Sequence, residues 1–405
     1  MSSVHLRSGP TGCQLSPARA AAFKPGSVMR VAGAAGTSAP EPGSAARGTS
    51  SRCGGFRIST SGYPVRDGPL ASRRRARYAS PFVAAARPPS AAAVRGEPRA
   101  MPVIINVNGR ITGEAEAAVS PLDHGFLYGE GVYEVVRTYG RSPFLFDRHM
   151  ERLRGSAGRI AMALPFDHGE FERCVRETCD AFWAQPDASD EVYIRILVTR
   201  GVGDISYNPA ACHSPTVVII VKPLQLPPPE VYEAGVRVAI AGIIRNHPGS
   251  VSPRIKSNNL LNNALAAQEA YRLGAFEAIM RNYRNEISEG SISNVFVVKD
   301  GAVTTPPLDA GLLAGITRAF VLEVAPAAGV TIRENVLQDA DLFGADECFL
   351  TSSTQEIIPV VRVDDATIGN GRPGPVTKRL HAEYRRRVAE LTRGWGAAAA
   401  GTVLE

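Results

Sequence analysis

A lysine held among short polar side chains, in Arg254-Ile255-Lys256-Ser257-Asn258-Asn259-Leu260-Leu261-Asn262-Asn263, constrains this chain more than any other stretch. It stands between a strand-like run, Val236 to Ile244, and a helical run ending at Leu273. Most lysines ride a solvated face. One placed between a strand and an apolar helix, with amides and hydroxyls around it, suits an amine held in a pocket. Desolvation or a neighbouring cation lowers the pKa of such an amine, and the free amine is a nucleophile.

The chain around this stretch alternates strands and helices. Strands are expected at Val236–Ile244, Ala278–Asn282, Ile292–Val298, Val330–Arg333 and Cys348–Leu350, and helices at Leu260–Leu273, Ile316–Ala325 and Val376–Leu391. An earlier block reads differently. Ile104 to Gly109 is a strand running into a turn, and Gly131 to Tyr139 alternates in β fashion, then turns at Gly140-Arg141 into Pro143–Phe146 as a hairpin. Asp147 is expected to cap a helix whose Met150, Leu153, Ala157 and Ile160 share one face. A second helix spans His168 to Trp183, and strands follow at Val192–Thr199 and Thr216–Val221. The proline-rich 224–232 reads as a stiff linker. Gly129-Glu130-Gly131 lacks the third glycine of a phosphate loop and precedes a strand, so close backbone approach accounts for it better. The expected division is a small α/β domain over 101–223, the linker, a larger α/β domain over 233–392 and a tail over 393–405.

Residues 1–100 stand apart. They carry fourteen Arg and one Lys against three acids, so the overall charge of +6 hides a mildly acidic remainder. Composition rich in Ala, Gly, Ser, Pro and Arg cannot bury enough apolar surface to offset its ordering entropy. Two readings stand: an organellar transit segment, or upstream sequence with Met101 as the true start, the second favoured by Met101-Pro102-Val103-Ile104 opening the patterned region directly. The acidic body gives no reason to expect nucleic acid. No apolar run reaches the length of a membrane span, and six scattered cysteines suit a reducing compartment. A cytoplasmic protein is expected, or a plastid or mitochondrial one if the leader is a transit peptide.

Further along come Glu289-Gly290-Ser291-Ile292-Ser293-Asn294-Val295-Phe296, then Gly315-Ile316-Thr317-Arg318, then Thr351-Ser352-Ser353-Thr354. Lysine, acid, Gly-Ile-Thr-Arg turn and Ser/Thr cluster in this order resemble the fold-type IV pyridoxal-phosphate aminotransferases, over about residues 103 to 385. That group includes branched-chain and D-amino-acid aminotransferases and aminodeoxychorismate lyase. The resemblance implies a two-domain α/β (α+β) fold with a larger pseudo-barrel domain, pyridoxal 5'-phosphate as cofactor, and a homodimer or higher homo-oligomer.

It also implies roles for single residues. Lys256 is the Schiff-base lysine, and Glu289 is the acid that pairs with the pyridine nitrogen, in preference to Glu286. Arg152, Ile316, Thr317, Ser352 and Ser353 receive the phosphate, while Arg148 and Arg154 have no such match. Tyr128 and Tyr133 match pocket aromatics of the branched-chain enzymes, and Tyr193 with Arg195 match their Tyr-x-Arg strand motif. The Arg-x-His pair of the D-amino-acid enzymes is missing after Thr199-Arg200-Gly201. Against this, Leu261 stands where the enterobacterial branched-chain enzymes have a tyrosine. The expected reaction moves the amino group of leucine, isoleucine or valine to 2-oxoglutarate. D-amino-acid transamination and aminodeoxychorismate lysis are the alternatives.

Overall fold

The computed structural model describes residues 102–392. The expectations for residues 1–100 and for the tail over 393–405 lie outside them. The first part is a six-stranded antiparallel sheet in the order β2-β1-β6-β5-β3-β4. Its strands are β1 (Ile104–Val107), β2 (Arg110–Gly113), β3 (Gly131–Tyr139), β4 (Ser142–Pro143), β5 (Val192–Thr199) and β6 (Thr216–Pro223). Strand alternation sends Val132 and Val136, Ile194 and Ile196, and Ile219 and Val221 to one face. There α2 (Phe146–Arg159) and α3 (His168–Trp183) cover them with Met150, Leu153, Phe171 and Phe182. A five-residue α1 (His124–Tyr128) precedes β3, capped by Asp123.

Asp147 does not cap α2. The helix starts one residue earlier, with Leu145 at φ 51 as its boundary, so Asp147 falls inside the first turn. There it pairs with His168 at 3.0 Å. The cap expected from composition appears instead on α3, where Asp167 and Glu170 form a reciprocal capping box.

The second part is a nine-stranded mixed sheet that curls into a half-barrel, in the order β12-β11-β10-β13-β14-β7-β8-β9 with β15 on β14. The strands are β7 (Val236–Ile240), β8 (Glu277–Arg281), β9 (Ile287–Gly290), β10 (Asn294–Lys299), β11 (Ala302–Thr305), β12 (Ile332–Glu334), β13 (Glu347–Ser352), β14 (Glu356–Val363) and β15 (Ala366–Thr367). β7 is shorter than its apolar run. Ala241 N–H still donates to Ile279 O at 2.9 Å, and then the chain leaves the ladder as the Gly242 N–H turns to the Glu269 carboxylate. The stretch expected to be a plain linker ends in a short helix, α4 (Pro229–Ala234). α5 (Leu261–Arg272) lies on an alanine-lined patch of β7 and β8, a close approach that larger residues would prevent. α6 (Ile316–Val324) and α8 (Pro375–Leu391) pack together over Phe296 and Phe349, and α7 (Asp339–Phe343) leads into β13.

The two sheets meet through apolar and charged contacts. Phe144, beside β4, sits edge-on to Phe320 and Tyr384 in the core of the second part. Glu356, at φ 62 in the left-handed region, is buried and accepts from four side chains. They are Arg137 and Tyr139 from β3 and His381 and Arg385 from α8, at 2.7 to 3.1 Å.

Candidate active site

Lys256 owes its place to backbone pairing. The free edge of β3 takes up the lysine segment as a short extra strand, bridged at Val132 and Ser257. Tyr133 N–H donates to Lys256 O at 2.9 Å and Asn258 N–H to Gly131 O at 2.9 Å. Ser156 on α2 accepts the Lys256 N–H at 3.1 Å. This pairing requires Gly131, because a Cβ there would lie 2.6 Å from Asn258 Nδ2 and 2.7 Å from Val198 O. The lysine Nζ stands 4.5 Å from the centre of the Tyr133 ring and has no carboxylate partner among the described residues. It opens into a cavity of about 420 Å³ between the two sheets.

Glu289 is also in the cavity wall, on β9, and is almost fully buried. Its Oε1 accepts from Arg245 Nε at 2.7 Å, and its Oε2 from Leu313 N–H at 2.9 Å and Asn294 Nδ2 at 3.5 Å. The guanidinium and the two N–H donors fix the direction in which the carboxylate points. Glu286, by contrast, lies in the turn before β9 with Arg284 and Asn282.

Arg152, Ile316, Thr317, Ser352 and Ser353 all line the cavity. The first backbone bond of α6 runs from Ala319 N–H to Gly315 O, and no side chain caps the helix. The N–H groups of Ile316 and Thr317 are therefore left for an anion. Thr351 Oγ1, in the same wall, is buried without a partner. Arg152 is bidentate to Glu134 through Nε and Nη2, at 2.7 Å each, and donates through Nη1 to Ala314 O at 2.9 Å. Burial pushes Glu134 up, but the charge and hydrogen bond of Arg152, joined by those of His149, outweigh it and hold the carboxyl at about 2. Arg148 pairs instead with Glu323 on the surface.

On the third side stand Tyr133, Tyr193 and Arg195. The Arg195 guanidinium lies 4.1 Å above the centre of the Tyr133 ring and reaches Tyr193 Oη at 3.4 Å, with no carboxylate partner among the described residues. Tyr128 is not in this wall. It lines a smaller neighbouring depression with Tyr207 and Glu130, which shares Val251, Ile255, Ser257 and Asn259 with the main cavity. Leu260 lines the main cavity, whereas Leu261 is two-thirds exposed and does not.

Sequence reasoning passed over Glu134, Arg245 and Asn294, which hold the residues it singled out. Glu134 left a signal: it occupies the apolar phase of β3, between Val132 and Val136, where only a paired charge is tolerated. Arg245 and Asn294 left none, since their partners are 44 and 5 residues away and the pairing depends on the sheet.

A family model, amino-transferase class IV, matches residues 131–363. A Methanocaldococcus jannaschii protein assigned as a branched-chain-amino-acid aminotransferase is 35% identical over 292 residues, 72% of this chain and 97% of its own. A D-alanine aminotransferase of Bacillus licheniformis is 35% identical, covering 70% and 97%. An aminodeoxychorismate lyase of Bacillus subtilis is 33% identical, covering 71% and 96%. Among solved structures, the Escherichia coli branched-chain amino acid aminotransferase superposes with a TM-score of 0.66 at 32% identity, over 72% of this chain and 97% of that one.

The chain belongs to the class IV aminotransferases. Within that family it is a branched-chain-aminotransferase-like protein of fold type IV, an enzyme that depends on pyridoxal phosphate. The cavity fits that cofactor on its own evidence. An orphaned threonine hydroxyl, free helix N–H groups and an arginine lie together as anion donors, while a lysine and a buried carboxylate stand elsewhere in the wall. No helix among the described residues is long and apolar enough to cross a membrane.

Proposed function

We propose that this enzyme moves the amino group of an L-branched-chain amino acid to 2-oxoglutarate, with Lys256 as the catalytic amine. The carrying observation is the Tyr133–Tyr193–Arg195 side of the cavity: two aromatic rings and a guanidinium with no carboxylate of its own among the described residues. Rings suit an aliphatic side chain, and the cation suits the second carboxylate of a dicarboxylic acid. Pyridoxal phosphate, when bound, supplies an aldehyde carbon for the lysine and an electron-withdrawing ring. The chain's own residues do the rest. Lys256 Nζ would take the proton from the substrate Cα and deliver it to the carbon that had been the cofactor's aldehyde carbon. Glu289, held in place by Arg245, would pair with the ring nitrogen and favour a proton on it. Arg152, Ile316, Thr317, Ser352 and Ser353 fix the phosphate.

A second reading, D-amino-acid transamination, is supported by the D-alanine aminotransferase at equal identity; Leu261, the departure that suggested it, lies outside the cavity wall and adds nothing to it. The test is a half-reaction. The purified protein, loaded with cofactor, is mixed separately with L-leucine and D-alanine while the visible absorption of the bound cofactor is followed. Conversion with L-leucine alone is expected, and with D-alanine alone the proposal fails. Lys256→Ala should lose conversion with either; retained conversion would remove the lysine from its role.

The same reading includes a homodimer in the cytoplasm. Phe126, Ile205 and Tyr207, each at least 75% exposed, offer apolar surface for a second copy. Light scattering of the purified chain should give twice the monomer mass, and a monomer would overturn the dimer.

A further inference from the structure

We propose that Glu277 is a positioning residue for the cofactor cavity: through its charge it fixes the Ser291–Ser293 turn that walls the cavity next to Glu289. This rests on the assignment of that cavity above.

Glu277 opens β8 and is 3% exposed. Its Oε1 accepts from Ile292 N–H at 2.8 Å, Ser293 Oγ at 2.9 Å and Ser291 Oγ at 3.4 Å. One carboxylate oxygen therefore holds every residue of the turn. The turn is closed on itself by Gly290 N–H to Ser293 O at 2.7 Å, and tied from outside by Asn263 Nδ2 to Ser291 O at 2.7 Å. Ser291, Ile292, Ser293 and Asn294 are all cavity wall, and Asn294 is itself a donor to Glu289. The glycine of the Glu-Gly-Ser sequence follows from this packing. A Cβ on Gly290 would lie 2.2 Å from Ser293 Oγ and 2.5 Å from Glu277 Oε1.

The second oxygen, Oε2, is buried with no partner. Strand alternation places Glu277 with Ile279 on one face of the β8–β9 pair and Glu289 with Met280 on the other. The groups facing Glu277 are few. The turn brings two neutral hydroxyls and α5 brings the neutral amide of Asn263 to the turn, while the like charge of Glu289, itself engaged by Arg245, acts only from the other face of the pair. No cation among the described residues pairs with it. Burial raises the carboxyl, the three hydrogen bonds offset part of that, and the balance falls at about 7.

Two opposite consequences follow. The charged form makes the stronger bonds to the turn, so cofactor affinity rises as pH passes upward through 7. The same charge is buried and unpaired on Oε2, and its ionisation costs stability. The sign is that of a raised acid: the favourable contribution is full below the unfolded value of 4.5 and is lost as pH rises through about 7. Holding the wall firm and holding the fold firm therefore pull apart near neutrality.

The test uses the full chain as apoprotein, with pyridoxal phosphate as the probe. Its dissociation constant by equilibrium dialysis and the thermal unfolding midpoint are measured from pH 5.5 to 9 for wild type, Glu277→Gln and Glu277→Ala. The cofactor's own titration is common to all three, so differences between proteins are what is read. Glu277→Gln should keep neutral versions of the bonds. It should unfold above wild type at pH 8, converge with it at low pH, and lack wild type's extra gain in affinity of about tenfold above pH 7. Glu277→Ala should bind more weakly throughout, with kcat falling more than KM changes. A Glu277→Gln protein that tracks wild type at every pH, or a Glu277→Ala protein with wild-type affinity at pH 8, overturns the proposal. Cofactor affinity left unchanged by both Lys256→Ala and Glu289→Gln would instead overturn the cavity assignment beneath it.

Discussion

Glu134 shows how much of this site depends on residues that touch no ligand. A buried carboxylate holds Arg152 by two bonds of 2.7 Å and aligns it with the open end of α6. Removing one partner of such a pair strands the other charge, which costs about 3–5 kcal/mol. Glu134→Gln should therefore lower unfolding free energy by about 3 kcal/mol in urea and weaken phosphate retention, read as faster cofactor loss on dialysis. Equal loss from both proteins would show that Arg152 keeps its aim unaided. The residues that carry chemistry were legible because short local patterns mark them: Lys256 before a polar run, Glu289 before glycine, Gly315-Ile316-Thr317 at a helix start. Their supports were not, since Arg245 and Glu277 meet the Glu289 region only once β7, β8 and β9 lie side by side.

At the scale of elements, the end of α6 is set by one glycine. A Cβ on Gly315 would fall 1.9 Å from Asn294 Oδ1. Asn294 donates to Leu313 O at 3.1 Å and towards Glu289, so displacing it disturbs the turn before α6 and the Glu289 carboxylate at once. Gly315→Ala should weaken pyridoxal phosphate binding about tenfold or more, on the scale of one to two lost hydrogen bonds, while far-ultraviolet circular dichroism stays unchanged. Unaltered affinity would mean that α6 can slide without disturbing the anion site. Long elements with clear periodicity, such as α3 and α8, were readable to within a residue. β9 was not, because its Ile-Ser-Glu-Gly is as good a turn as a strand, and only the partner strand decides. β7 was overread because its apolar run outlasts its ladder.

Across the whole molecule, Glu356 joins the sheets by accepting from both β3 and α8. Burial raises its carboxyl, but His381, Arg385 and Arg137 outweigh that and hold it at about 2. Its contribution is present above the unfolded value of about 4.5 and is lost as pH falls from there towards 2. A shift of that size corresponds to about 3 kcal/mol. Acid unfolding of Glu356→Gln should show a shallower dependence on pH between 4.5 and 2 than wild type, and identical slopes would remove Glu356 from that role. The cavity between the sheets carries a last consequence. Lys256 is tied to β3 and α2, whereas Glu289 and the open end of α6 belong to the second sheet. A molecule gripped by all three acts as a cross-link between two halves of one chain. Saturation at a hundred times the dissociation constant adds about 2.7 kcal/mol, and that increment falls on the seam rather than on either core. Supply of the vitamin-derived ligand would then set the lifetime of the folded chain as well as its turnover.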